Sequence, residues 1–166
     1  MMMRNTPFAE KFRDRLRLPL IAAPMLRVSG PDIVVACSRA GVIGAFPTAN
    51  AQSPSELDAW LSSIESQLKD DPGAGAPLCP NLIIPPATMA EDLKSLVTHR
   101  VEVVITSVGS PAAVIKPLHD IGCFVLADVA SVRHAEKAIE AGADGLILLT
   151  AGAGGNTGWV NPFAFV

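Results

Sequence analysis

Asp144-Gly-Leu-Ile-Leu-Leu-Thr-Ala-Gly-Ala-Gly-Gly-Asn-Thr-Gly-Trp159 is the stretch that decides the fold, because an apolar run leads directly into a glycine-dense loop. The run is continuous rather than alternating, as in a parallel strand buried on both faces. Backbone with so few side chains can approach a flat or phosphorylated ligand closely. A flexible linker would have similar composition. This loop, however, closes the last of several similar strand-to-helix units, where α/β proteins place ligands.

The rest of the chain repeats this strand-then-helix pattern. Helix starts are signalled by Ser29-Gly-Pro-Asp, Ser53-Pro-Ser-Glu, Thr88, Ser110-Pro and Ser131, and helix ends by Gly41, Gly122 and Gly142. The segment from Asp70 to Pro77 resembles a surface loop. The predicted strands are Leu18–Ala23, Val42–Phe46, Leu78–Ile84, Val101–Thr106, Cys123–Ala127 and Gly145–Leu149. The predicted helices are Ile33–Ala40, Leu57–Leu68, Ala90–Val97, Ala112–His119 and Val132–Ala141.

Most units recur about every 22 to 24 residues, a spacing that suits both a doubly wound sheet and a (β/α)8 barrel. No Gly-x-Gly-x-x-Gly follows the first strand, which favours the barrel. Six strands are present where a barrel needs eight. Asn161 and Pro162 resemble the cap and first turn of a sixth helix. We therefore expect residues 1–166 to be the N-terminal part of one barrel domain that needs the remaining segment, from the same gene product or a second chain. A six-stranded open sheet is the alternative.

Composition limits the class of protein. The 166 residues carry a net charge of −3, which gives no electrostatic reason to expect nucleic acid or an anionic membrane as a partner. No apolar run reaches the roughly 18 residues of a membrane span. Met1 to Arg17 mix Arg, Lys, Asp and Glu without an apolar core, so we do not expect export. The three cysteines, Cys37, Cys79 and Cys123, are expected to be reduced, buried thiols of a cytoplasmic protein with no metal site.

Several motifs in order resemble the nitronate monooxygenase (2-nitropropane dioxygenase) family. They are Pro19-Leu-Ile-Ala-Ala-Pro-Met25, Val28-Ser-Gly-Pro, Ala40-Gly-Val-Ile-Gly-Ala, Pro80-Asn-Leu82, Ala141-Gly-Ala-Asp-Gly and Gly152-Ala-Gly-Gly-Asn-Thr-Gly158. The resemblance runs from about Leu18 to the end of the chain. It implies an FMN-binding TIM barrel that oxidises alkyl nitronates with O2. Relatives in the family also include a flavin-dependent enoyl-ACP reductase and an NADH:quinone reductase.

The resemblance also implies roles for residues at the cofactor. The turn Ala23, Pro24 and Met25 would lie with its backbone against the flavin ring, and Asn81 would hydrogen-bond the isoalloxazine or the ribityl chain. Gly154 and Gly155 would let their loop approach flavin and substrate. The family's main phosphate-binding glycines follow the seventh and eighth strands and have no counterpart among these residues. Without the resemblance, the turn is equally a strand ended by proline, and Asn81 an ordinary turn residue.

The sequence departs from the family at Asn156, where the family has a histidine that can take a proton from the carbon beside a nitro group. An amide is no base near neutral pH, but it can donate a hydrogen bond to a nitro or carbonyl oxygen. Oxidation of an already anionic nitronate needs no base. Asp128, just beyond the fifth strand, is the second candidate catalytic residue, with support of the following helix as its alternative role.

Other residues near the expected site are weaker candidates. Ser107 and Gly109 follow the fourth strand, and Trp159 either walls the pocket or simply packs. The three histidines, His99, His119 and His134, are predicted to be solvated or capping residues rather than catalysts.

Two further functions stay open on the sequence alone. One is an NAD(P)H-dependent flavin reductase acting on an enoyl thioester or quinone. The other is a noncatalytic fragment that binds no flavin without the remaining barrel half. The expected ligand is a small-molecule substrate, and a homodimer is a further arrangement that the sequence leaves open.

Overall fold

The computed structural model describes residues 7–71, 75–84 and 88–166. Its strands are β1 (Ile21–Ala22), β2 (Ile43–Pro47), β3 (Leu78–Ile83), β4 (Val103–Ser107), β5 (Phe124–Val129) and β6 (Gly145–Leu148). Its α-helices are α1 (Pro7–Phe12), α2 (Pro31–Arg39), α3 (Pro54–Leu68), α4 (Met89–Thr98), α5 (Ala112–His119), α6 (Val132–Glu140) and α7 (Pro162–Phe165).

The sheet has the topology of an incomplete (β/α)8 barrel. Its strands pair in the order β1-β2-β3-β4-β5-β6, all parallel, so each strand lies beside its neighbour in sequence. A doubly wound sheet reverses its strand order partway, whereas a barrel does not. The predicted fold class, an incomplete barrel, is confirmed, and the strand order excludes a doubly wound sheet.

Side chains alternate between two separate cores, as the period of two along a strand requires. One core lies between the sheet and helices α2 to α5 and includes Phe46, Leu82, Val104 and Val125. The opposite face forms the barrel interior. Its buried residues, with one contribution from α1, are Phe12, Ile43, Ala45, Cys79, Val103 and Ile105.

Helix α1 closes the amino end of the barrel, a feature that the sequence analysis did not predict. Phe8 and Phe12 pack at ring-centroid distances of 5.4 Å and 5.8 Å from Phe124, the first residue of β5. The guanidinium of Arg15 donates to both carboxylate oxygens of Glu102, at 2.8 Å and 2.6 Å. This pairing lowers the pKa of Glu102, with the Arg15 hydrogen bond as the main cause. The aromatic contacts and the ion pair together fix the N-terminal segment beneath the sheet.

The predicted turn chemistry is largely confirmed. Gly41, Gly122 and Gly142 end helices at φ values of 72°, 76° and 98°, conformations that favour glycine. The Ser53 and Ser131 side chains cap α3 and α6, and Asn161 caps α7. The predictions for Ser29, Thr88 and Ser110 need correction. Gly30 and Pro111 are the N-caps of α2 and α5, and Thr88, at the N-cap of α4, makes no side-chain cap hydrogen bond.

Three other details refine the sequence analysis. Strand β1 is only two residues long, shorter than predicted. Residues 72–74 of the predicted surface loop lie outside the described part, whereas Ala76 and Pro77 are buried. The three cysteines are free, but Cys37 is only partly buried. None of the α-helices among residues 7–71, 75–84 and 88–166 combines the length and the hydropathy of a membrane-spanning segment.

Candidate functional site

A cavity of about 570 Å³ lies at the carboxyl ends of β4 and β5. This is the end of the strands where barrel enzymes place their active sites. It brings together two residues that are far apart in sequence, Asp128 and Asn156, which were the two predicted catalytic residues. The lining is Ser107, Val108, Gly109, Ser110, Pro111, Ala127, Asp128, Val129, Ala130, His134, Lys137, Ala138, Leu149, Asn156 and Thr157.

The cavity extends over the end of β5 and reaches both faces of the sheet. Asp128 shares its face with Leu126, which packs in the barrel interior. Ala127 and Val129 point the opposite way and pack against Ala138 of α6. One side of the cavity is therefore inside the barrel, and the other lies between α5 and α6.

Asp128 is in an environment that favours its neutral form. Burial raises the pKa of its carboxyl group to about 6. Desolvation disfavours the charged carboxylate, and no neighbouring charge contributes to the shift. A carboxyl group with a pKa near 6 in a cleft can exchange protons near neutral pH, which is characteristic of catalytic acids and bases. Asp128 lies in the cavity wall, four residues before α6 begins.

Asn81 lies within β3 and is buried, so it is not the turn residue of the alternative interpretation. Its amide nitrogen donates to the Ser107 hydroxyl at 3.2 Å, and that hydroxyl donates to the amide oxygen of Asn81 at 3.3 Å. The amide also donates to the Ile105 carbonyl at 3.5 Å. Asn81 therefore has protein partners in the barrel interior. It does not line the cavity itself, but its partner Ser107 does.

The Ala23-Pro24-Met25 turn follows β1 and is held by two side chains. The buried hydroxyl of Ser29 accepts from the Met25 N–H at 3.0 Å and donates to the Ala23 carbonyl at 3.4 Å. Asn50, which follows β2, donates to the carbonyls of Met25 and Ser29 at 2.9 Å and 2.8 Å. It also accepts from the Arg27 N–H at 2.7 Å. These bonds explain why Ser29 does not cap α2.

The glycine-dense loop after β6 has a defined shape. Gly152 and Gly155 have φ values of 85° and 69°, where other residues would be strained. A Cβ atom added at Gly154 or Gly155 would meet no other atom within 4 Å, so open space faces both residues. The loop is closed by a hydrogen bond of 2.9 Å from the Ala151 N–H to the Val160 carbonyl.

The remaining candidates separate into two groups. Ser107 and Gly109 line the cavity, whereas the Trp159 side chain is 99% exposed and does not line it. His119 contacts Asp144 at 3.0 Å, and His99 lies between Asp58 and Glu65 at 2.9 Å from each. These two histidines link structural elements through carboxylates and do not line the cavity.

His134 and Lys137 are cavity residues that the sequence analysis missed in that role. Both are on the first two turns of α6, where a spacing of three residues places them on one face. The spacing of three residues is visible in the sequence. The sequence does not indicate, however, that the space between α5 and α6 is continuous with the cavity at the carboxyl ends of the strands.

A family model described as nitronate monooxygenase matches residues 79–164 of the chain. FabK from Thermotoga maritima is similar to it at 25% identity, with a TM-score of 0.82, over 98% of this chain and 50% of the FabK chain. A nitroalkane oxidase from Streptomyces ansochromogenes shares the fold, with a TM-score of 0.75, 21% identity and coverage of 90% of this chain and 52% of the oxidase. The chain thus spans about half the length of these relatives. A search of curated proteins finds no match.

Proposed function

Because this chain belongs to the nitronate monooxygenase family, we propose that it forms the substrate side of a flavin-dependent oxidoreductase that oxidises alkyl nitronates with O2. The observation that carries this proposal is the cavity at the carboxyl ends of β4 and β5. Asp128 and Asn156 both line it. The amide of Asn156 can bind a nitro group by a hydrogen bond, and the carboxylate of Asp128 can accept the proton from the neighbouring carbon.

The cofactor proposed is FMN, held at the carboxyl end of the barrel. The clamped turn from Ala23 to Met25 presents backbone to that end, and Gly154 and Gly155 leave open space beside the loop. Asn81 would contact the flavin ring or ribityl chain by exchanging its bond to Ser107. These features fit a flat ligand approached closely by backbone. When bound, the flavin supplies the hydride or one-electron chemistry.

Asn156 and Asp128 have separate roles in this proposal. The Asn156 amide donates a hydrogen bond to an oxygen of the nitro or nitronate group, which stabilises negative charge there. With a neutral nitroalkane, a carboxylate oxygen of Asp128 takes the proton from the carbon beside the nitro group. The C–H electron pair then moves into the nitro group and forms the nitronate. A nitronate supplied as such needs no proton transfer, so it is the better substrate.

The second candidate is an NAD(P)H-dependent flavin reductase acting on an enoyl thioester or quinone. The length of the cavity supports this second function, because the cavity extends from the barrel interior past the end of β5 to α6. A long substrate would fit that shape. The third reading, a noncatalytic fragment, predicts no bound flavin at all.

We propose further that the edges of β1 and β6 pair with additional strands. Each is bonded to only one neighbour in the described sheet. Apolar side chains are exposed just before β1 and in α7, including Leu20 at 54% and Phe163 at 95%. Unpaired edges and exposed apolar surface favour association with another polypeptide segment. A cytoplasmic location remains a prediction based on the three free thiols.

The test is a flavin and substrate comparison on the purified full-length protein. We expect flavin absorbance at about 450 nm, bleached anaerobically by an alkyl nitronate and restored by O2. Bleaching by NADH or NADPH but not by a nitronate would favour the reductase. Absence of flavin after addition of free FMN would contradict both enzymatic functions.

A further inference from the structure

The outer part of the cavity has a different character from its barrel side. We call the residues Ser110, Pro111, His134, Lys137 and Ala138 the outer lobe. They come from the start of α5 and from α6, on the helix side of the sheet. Ser107, Asp128 and Leu149 form the inner lobe. Ser107 and Asp128 share faces with Ile105 and Leu126 in the barrel interior.

Lys137 brings a positive charge to the outer lobe without a partner for it. None of the ion pairs among the described residues includes Lys137. The charged or titratable groups lining the cavity are Asp128, His134 and Lys137. Since Asp128 lies on the opposite face of β5, the outer lobe has only cationic or neutral groups.

The two lobes lie on opposite faces of β5. An ammonium close to Asp128 would lower the pKa of its carboxyl group, yet burial alone sets that raised pKa. Successive side chains of β5 point to opposite faces of the sheet, so Asp128 points into the barrel interior, whereas Ala127 and Val129 pack toward α6. A single ligand that reaches both Lys137 and Asp128 must therefore be extended.

We propose that the outer lobe is an anion subsite, in which Lys137 binds the terminal carboxylate or phosphate of an extended substrate whose reacting carbon lies beside Asp128. An ammonium forms strong charge-assisted hydrogen bonds with such groups. The Ser110 hydroxyl lies in the same lobe and can donate another. The inference rests on the proposed function for the chemistry at Asp128 but not for the anion site itself.

The first test measures binding without turnover on the flavin-loaded full-length protein. The probes are hexanoate, hexyl phosphate and the neutral hexanol, followed by calorimetry or by amide shifts of α6. We expect at least one anionic probe to bind about tenfold or more tightly than hexanol, and Lys137→Met to remove that preference. Lys137→Arg should retain it, and Lys94→Met on α4 is the matched control. Comparing the two anionic probes distinguishes a carboxylate from a phosphate as the preferred group.

The second test uses turnover to connect the two lobes. A six-carbon nitronate with a terminal carboxylate is compared with its methyl-ended counterpart. Lys137→Met should raise KM for the first about tenfold or more, leave its kcat little changed and spare the second. Equal binding of hexanol and both anions by the wild type, or unchanged anion binding in Lys137→Met, would overturn the inference. If the anions bind through Lys137 but no nitronate reduces the flavin, the proposed function fails and the subsite stands.

Discussion

Asn81 and Ser107 hydrogen-bond each other in both directions across β3 and β4, at 3.2 Å and 3.3 Å, where both side chains are buried. Each group thereby satisfies polar atoms that would be costly to leave unpaired. The pair lies in the barrel interior, and in the proposed function the Asn81 amide exchanges its bond to Ser107 for a bond to the flavin.

Asn81→Ala is expected to weaken FMN binding. Loss of the amide would leave a buried polar atom of the flavin unpaired, at about 1 to 3 kcal/mol, or roughly a 5- to 150-fold loss of affinity. Fluorescence titration with FMN measures the effect. Ser107→Ala is the control, since it removes the protein partner but leaves the amide for the flavin. Unchanged FMN affinity in Asn81→Ala would remove this residue from the cofactor site.

Asn50→Ala should loosen the turn from Ala23 to Met25. The substitution removes two donated hydrogen bonds and the acceptor for the Arg27 N–H, in a segment where Arg27 has a φ of 62°. We expect a loss of about 1 to 2 kcal/mol in the free energy of unfolding and faster hydrogen exchange at the Arg27 amide. Asn50→Asp keeps the acceptor and should preserve that amide's protection better. Equal exchange in the wild type and Asn50→Ala would mean that the turn does not depend on Asn50.

Local patterns were enough to predict the sheet and the outer helices. Glycines at helix ends and serine caps at Ser53 and Ser131 are local features, and the structure shows each in its expected conformation. Helix α1 escaped prediction because contacts distant in sequence hold it in place, chiefly Phe8 and Phe12 with Phe124. Propensity alone is a weak guide for such short helices.

The site could be predicted only in part, for a similar reason. Asp128 follows a strand directly, so the topology of a parallel barrel is enough to place it at the carboxyl end. Lys137 depends instead on the packing of α5 and α6, which leaves a gap that no sequence periodicity encodes. Ser29 precedes a helix and resembles a cap, but competing hydrogen bonds to Met25 and Ala23 determine its role.

His99 should stabilise the fold in a pH-dependent way. Burial lowers the pKa of His99, but hydrogen bonds to Asp58 and Glu65 outweigh it, so the folded-state pKa is above the usual 6.5. The stabilisation is therefore complete below about pH 6.5 and is lost as the pH rises through the folded-state pKa. Because both carboxylates are about half exposed, we expect His99→Gln to cost about 1 kcal/mol or less at pH 5.5 and little at pH 8.5. Denaturant unfolding of the wild type and His99→Gln at pH 5.5 and pH 8.5 measures this difference. An equal loss in the free energy of unfolding at the two pH values would contradict the prediction.

Asp128 should give the oxidation of neutral nitroalkanes its pH dependence. Because burial raises the pKa of its carboxyl group to about 6, only the fraction ionised above that pH can accept a proton. We expect kcat/KM for a neutral nitroalkane to rise with pH through about 6 and then to level off. Asp128→Asn should lower this rate by about 100-fold or more and spare the corresponding nitronate. A nitroalkane rate that Asp128→Asn leaves unchanged would exclude Asp128 as the base.

Asn156→His tests whether the residue at this position controls the choice between a nitroalkane and a nitronate. Asn156 lines the same cavity as Asp128, but its amide cannot accept the proton of a carbon acid near pH 7. An imidazole with a pKa near its usual value of about 6.5 can, so the variant should oxidise neutral nitroalkanes faster by about tenfold or more. Nitronate oxidation should change little, because that substrate has already lost its proton. Asn156→Gln keeps the amide and serves as the control for side-chain size. If the wild type oxidises both forms at equal rates, an efficient base is already present, and Asn156 does not limit the proton transfer.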